Sequence, residues 1–164
     1  MNWTEDLSLL QDGAVHLFWQ QSVLDKWCAD LSALGYDLHL IDCTDPGTMR
    51  TRFSEVLQWK EQFGYGPWTG NLDAFNDGLR GFPFDGSDKA ALVLLRFDQH
   101  MGRGERDAIA LLDIIEYQSR NCLLRGTRLL GLIQTADQGF FTPELGGRPA
   151  MWNPDEWSNA SRGL

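Results

Sequence analysis

The feature that most constrains this chain is an apolar run at 90–97: Ala90, Ala91, Leu92, Val93, Leu94, Leu95 and, past Arg96, Phe97. The run has strand length and is apolar at odd and even positions alike. Alternate residues of a strand point to opposite faces, so both faces of this one need cover. Helices packed on each side of a mostly parallel sheet meet that need.

The other segments fit the same plan. Residues 14–19 form a second apolar run, and Ser22 with Asp25 three places on has the form of a capping box. Leu24, Trp27, Cys28, Leu31 and Leu34 then recur at helical spacing until Gly35. Residues 36–42 alternate like a strand, and Asp45, Pro46 and Gly47 read as a turn. Met49, Phe53, Val56, Leu57 and Phe63 predict one helix over 48–63. A glycine-rich loop at 64–70 leads to a short helix from about Asn71 to Arg80. A longer helix follows the central run, from about Gly104 to Asn121, and 127–134 reads as the last strand. Strand and helix alternate throughout, which predicts an α/β fold with a mainly parallel sheet and right-handed crossovers. Residues 1–13 read as a capping segment closed by Gly13, and 135–164 show no period. The expected organisation is a single domain over 1–164, with a core at about 36–134 flanked by extensions at 1–35 and 135–164.

Charge narrows the partners. Twenty-three acids against 14 Lys and Arg leave a net charge of -9, which repels nucleic acid and anionic membrane and attracts basic proteins. No apolar stretch is long enough to cross a bilayer, and no secretory leader is evident. Cys28, Cys43 and Cys122 are odd in number and lack a C-x-x-C pair, which suits reduced thiols and a cytoplasmic protein.

The segment at 71–82 is the informative one. Leu72, Phe75, Leu79 and Phe82 fall three and four apart and form one apolar stripe, so Asp73, Asn76, Asp77 and Arg80 share the opposite face. Carboxylates at i and i+4 repel by about 0.2–0.5 kcal/mol. The helix dipole offsets this for Asp73, in the first turn, but not for Asp77. Gly78 costs the helix about 1 kcal/mol more than Ala would. Local stability does not select this face. It reads either as a solvated helix surface, with Asp77 beside Arg80, or as an acidic ridge shaped for a basic pocket, with Gly70 and Gly78 leaving room for another backbone.

Residues Gly70, Asn71, Leu72, Asp73, Ala74, Phe75, Asn76 and Asp77 resemble the signature of the barstar family of ribonuclease inhibitors, in which Asn-x-Asp-Ala begins the inhibitory helix. The element order over 36–134 agrees with that family. The resemblance implies that Asp73 and Asp77 enter the active site of a basic microbial ribonuclease. It further implies partner contacts from Trp68, Thr69, Gly70, Asn71, Leu72, Asn76 and Phe82, and a more distant acidic contact from Glu116. Trp68 and Thr69 depart from the family's Tyr-Gly, and Asn76 stands where the founding member has Trp. The identity of the cognate nuclease therefore stays open.

Two other readings stand beside this one. The chain could be a barstar-like interaction domain with a non-nuclease partner, or a small α/β enzyme using Asp73 and Asp77. His16, His39 and His100 fall in separate elements without metal-ligand spacing, so no metal, cofactor or nucleophile–base constellation is expected. Gly102 and Gly104 lack the remaining residues of a phosphate loop and read as a turn. Arg103, Arg106, Arg120, Arg125 and Arg128 suit helix and loop ends better than RNA. Trp152 and Trp157 are expected to pack back onto the domain. Oligomeric state is not legible.

Overall fold

The computed structural model describes residues 4–101 and 104–157. In chain order the elements are α1 (Thr4–Gln11), β1 (Val15–Phe18), α2 (Gln21–Ala33), β2 (Asp37–Asp42), α3 (Pro46–Val56), α4 (Trp59–Phe63) and α5 (Leu72–Arg80). Then come β3 (Lys89–Leu95), α6 (Phe97–Met101), α7 (Glu105–Leu124), β4 (Arg128–Gln134), β5 (Met151–Trp152) and α8 (Pro154–Trp157). The fold is α/β. Among the described residues five strands form one sheet in the order β2-β3-β4-β1-β5, with every neighbouring pair parallel.

The apolar run at 90–97 behaves as its composition requires. β3 lies between β2 and β4, with Leu92 opposite His39 on one side and Gly131 on the other. Ala90, Leu92 and Leu94 join the core beneath α3, α4, α5 and α7, which contains Phe53, Trp59, Phe75 and Ile115. Ala91 and Val93 join a second core on the opposite face, with Leu9 of α1 and Val23, Leu24 and Leu31 of α2. β4 divides in the same way, Leu129 and Ile133 to the first core and Leu130 and Leu132 to the second. Gly131 permits the approach of α7, because a Cβ there would stand 3.1 Å from the Ile115 side chain.

Several local expectations are corrected. β1 is inserted between β4 and β5, so a segment read as an extension supplies an internal strand. β5 adds a strand beyond 127–134. The helix expected over 48–63 is two helices, broken where Gln58 takes φ 48 and ψ 56. Asp45 and Pro46 begin a helix instead of forming a free turn: Pro46 occupies the first turn of α3, and the Asp45 carboxylate accepts from Thr48 N at 2.8 Å. Ser22 does not cap α2, whose N-cap is Gln20. Glu156, fully buried, serves that end instead, accepting from Trp19 N at 2.9 Å and Gln20 N at 3.0 Å. Trp152 packs against the first core. Among the described residues no helix is long and apolar enough to cross a membrane.

Candidate functional site

α5 is built from both ends inward. The Asn71 side chain accepts from Ala74 N at 2.8 Å, and the buried Trp68 indole donates to Asn71 O at 2.8 Å. Phe75 and Leu79 are fully buried, with the Phe75 ring 5.1 Å from both Phe53 and Trp68. Leu72 is half-buried beside them. The apolar stripe therefore points inward, and Asp73 and Asp77 stand exposed on the other side. Asp77 pairs with Arg80 across the exposed surface, and Asp73 makes no ion pair among the described residues. Two exposed carboxylates share this face, and Asp77 lies beside Arg80, an arrangement common to a solvated helix surface and to an acidic ridge.

Other expected contacts lie elsewhere. Trp68 and Phe82 are buried, Phe82 against His39 and Phe84, so neither side chain is offered to a partner. Asn76 is half-buried and already engaged, accepting from Gln118 of α7 at 2.7 Å. Glu116 is 4% exposed and accepts from Ala14 N at 2.7 Å and Val15 N at 3.3 Å, which removes it from any surface role. Gly78 serves the interior, since a Cβ there would come within 2.9 Å of Trp59 Cζ3. Gly70, at φ +101, is covered by Arg50, whose Nε would lie 3.0 Å from a Cβ. Neither glycine is an open approach for a foreign backbone. Thr69 and Asn71 are exposed at the start of the helix.

α5 packs beside α7, and a cleft of about 280 Å³ separates them. Leu72, Asp73 and Asn76 line one side, Asp113, Ile114, Tyr117 and Arg120 the other, with Gly146 at the margin. Arg120 is already engaged, donating to Gly146 O at 2.8 Å and to Glu116 at 3.3 Å. Asp73 and Asp113 consequently face the cleft without an ion-pair partner among the described residues, beside a Tyr117 ring that is 58% exposed. An exposed aromatic flanked by carboxylates offers flat contact area and sites for Lys or Arg. Asp113 and Tyr117 escaped the sequence reading. Their signal was present, because they lie four apart on the side of 105–124 away from Leu111, Leu112 and Ile115.

The groups that could support catalysis are dispersed. His16 is buried with Nε2 2.9 Å from both Leu9 O and Gly13 O, and burial holds its pKa below 6.5. His39 is half-buried and its pKa is also lowered, first by burial and then by Arg52. Burial pushes the Cys43 thiol up to about 12 and the Cys28 thiol up to about 11, away from the thiolate that a nucleophile needs. Among the described residues no three His, Cys, Asp or Glu side chains are grouped to hold a metal. Arg128 is committed to buried Asp6. Gly102 and Arg103 lie outside the described residues, as does the side chain of His100. Comparison with protein-family models finds none that matches the chain, and comparison with curated proteins finds no match either.

Proposed function

We propose that the chain is a binding protein for a basic partner, and that the partner is a ribonuclease whose active site it blocks. The observation that carries the reading is the division of α5: its apolar stripe is consumed by the core while Asp73 and Asp77 remain exposed, one of them at the α5–α7 cleft. The resemblance of 70–77 to the barstar signature supplies the class of partner. Ribonucleases hold RNA phosphates with cationic side chains, and an inhibitor carboxylate placed at such a subsite accepts charge-assisted hydrogen bonds from them. Occupancy alone then excludes substrate, and no chemistry is asked of the inhibitor. The net charge of -9 raises the encounter rate with a cationic enzyme at low salt.

Calorimetry against purified basic microbial ribonucleases tests the reading. Asp77→Ala should weaken the complex by at least about 2 kcal/mol, because the enzyme's cationic pocket is left buried and unpaired. Asp25→Ala, an exposed acid on α2, should act mainly on association rate and its salt dependence. Equal protection of toxin-expressing cells by wild type and by the Asp73→Ala/Asp77→Ala double variant would reject the site.

A further inference from the structure

The two ends of the sheet are built differently. β5 is two residues long and soon meets Pro154, which has no amide to offer a further strand. β2 is six residues long, pairs with β3 in unbroken register from Asp37 to Asp42, and carries neither proline nor lysine, the residues that commonly blunt an edge. Among the described residues no strand lies on its outer side. Cys43 N donates to Leu95 O at 2.9 Å, so the odd residues of β2 turn their backbone groups to β3, and Leu38, Leu40 and Asp42 turn theirs outward. One outward group is taken, because Leu40 O accepts from Arg52 Nε at 3.0 Å.

The side chains alternate with the backbone. Ile41 joins the first core and Tyr36 the second, so Leu38 and Leu40 lie on the α2 face of the sheet, and Asp37 and His39 on the α3 face. Leu38 packs against the second core, whereas Leu40 is 50% exposed. On the other face Asp37 makes no ion pair among the described residues. Arg52, which reaches the edge from α3, pairs with Glu55 at 3.2 Å across exposed surface, where such a pair contributes little.

We propose that β2 joins two copies of this chain, paired antiparallel about a two-fold axis at His39, so that one sheet runs through both. In this register Leu38 stands opposite Leu40 of the second copy, and the two exchange backbone hydrogen bonds through the groups that point outward. The symmetry makes that pair twice, and each exposed Leu40 gains an apolar neighbour. The Leu38 amide takes the place of Arg52 Nε at the opposing Leu40 O. The displaced guanidinium then lies beside Asp37, which precedes Leu38 and faces the α3 side, so opposite charges also meet twice. No carboxylates are opposed, since Asp37 faces Ile41 of the second copy and Asp42 faces Tyr36. The net charge of -9 on each copy acts against association, but at physiological salt it is screened beyond a Debye length of about 8 Å.

The test is sedimentation velocity of the full-length protein at physiological salt, from micromolar to millimolar concentration. The mass should rise toward that of a dimer, and amide exchange at Leu38 and Leu40 should slow in step with it. Leu40→Lys, at an exposed position, should weaken the dimer by about tenfold or more, because the symmetric interface contains the residue twice. Leu124→Lys, more exposed still and on α7, should leave it unchanged. Asp37→Lys and Arg52→Glu should each weaken the dimer, and the two together should restore it. A monomer at every concentration would overturn the proposal. So would a dimer that Leu40→Lys leaves intact. Failure of the charge exchange to restore association would overturn the register centred on His39.

Discussion

Glu116 lies on α7 among residues of ordinary helical spacing, and in sequence it is one more acid of an acidic chain. In the fold its carboxylate receives the backbone amides of Ala14 and Val15, at the start of β1, and the side chain of Arg120. Glu116→Ala should therefore destabilise the protein by about 1–3 kcal/mol, the cost of stranding buried amides, read as a lower urea midpoint. Asp113→Ala, one helical turn away but exposed, should stay within about 0.5 kcal/mol. The role of Glu116 was illegible because it depends on a partner 102 residues distant. His16 sits in the same region and gives a pH dependence. Burial lowers its folded pKa, against smaller opposing contributions from the Gly13 and Leu9 carbonyls, Glu116 and Asp12. Below 6.5 the unfolded chain takes up a proton that the folded chain refuses, so stability falls as pH drops through that value toward the lowered folded pKa. His16→Gln should flatten the dependence of Tm on pH in that window relative to wild type.

At the scale of elements, α5 was the most legible piece. Its extent, from about Asn71 to Arg80, and its buried stripe follow from the apolar spacing, whereas the capping role of the Asn71 side chain became visible only in the fold. What spacing could not supply was the neighbour. Asn76 belongs to the polar side by period, yet α7 supplies Gln118 to hold it. Gly78 looks like a helix defect, yet the Trp59 ring occupies the space of its missing side chain. Gly78→Ala should gain about 1 kcal/mol of helix propensity and still destabilise the protein by about 1–3 kcal/mol through overpacking. Equilibrium denaturation reads the net sign. The break between α3 and α4 was hidden for a related reason. Met49, Phe53, Val56, Leu57 and Phe63 keep an approximate helical period across it, and Gln58 carries no glycine or proline signal for the turn it makes.

For the whole molecule, the α/β class was legible because apolar runs and helical periods alternate, and each is a local property. The order β2-β3-β4-β1-β5 was not, since it is decided by which distant strands share an edge. A division at residue 36 therefore cuts through the sheet: β1 supplies Leu17 and Phe18, both fully buried, and pairs with strands on either side. A chain starting at residue 20 lacks that strand and α1, and leaves Leu130 and Leu132 without Leu9 and Phe18. It should lose cooperative thermal unfolding and most near-ultraviolet circular dichroism, whereas full-length protein keeps both.

The position of β1 also sets a timetable for synthesis. Its hydrogen-bonding neighbours, β4 and β5, come much later in the chain, and Trp19, just past its end, is received by Glu156, 137 residues on. At roughly 5–20 residues per second, a ribosome needs on the order of ten seconds to make that interval. During that wait the strand, apolar on three of its four residues, has no partner on either edge. Until β4 emerges that apolar strand stays uncovered, so the cost of an internal strand whose partners lie so far along the chain falls on the nascent protein before it falls on the folded one.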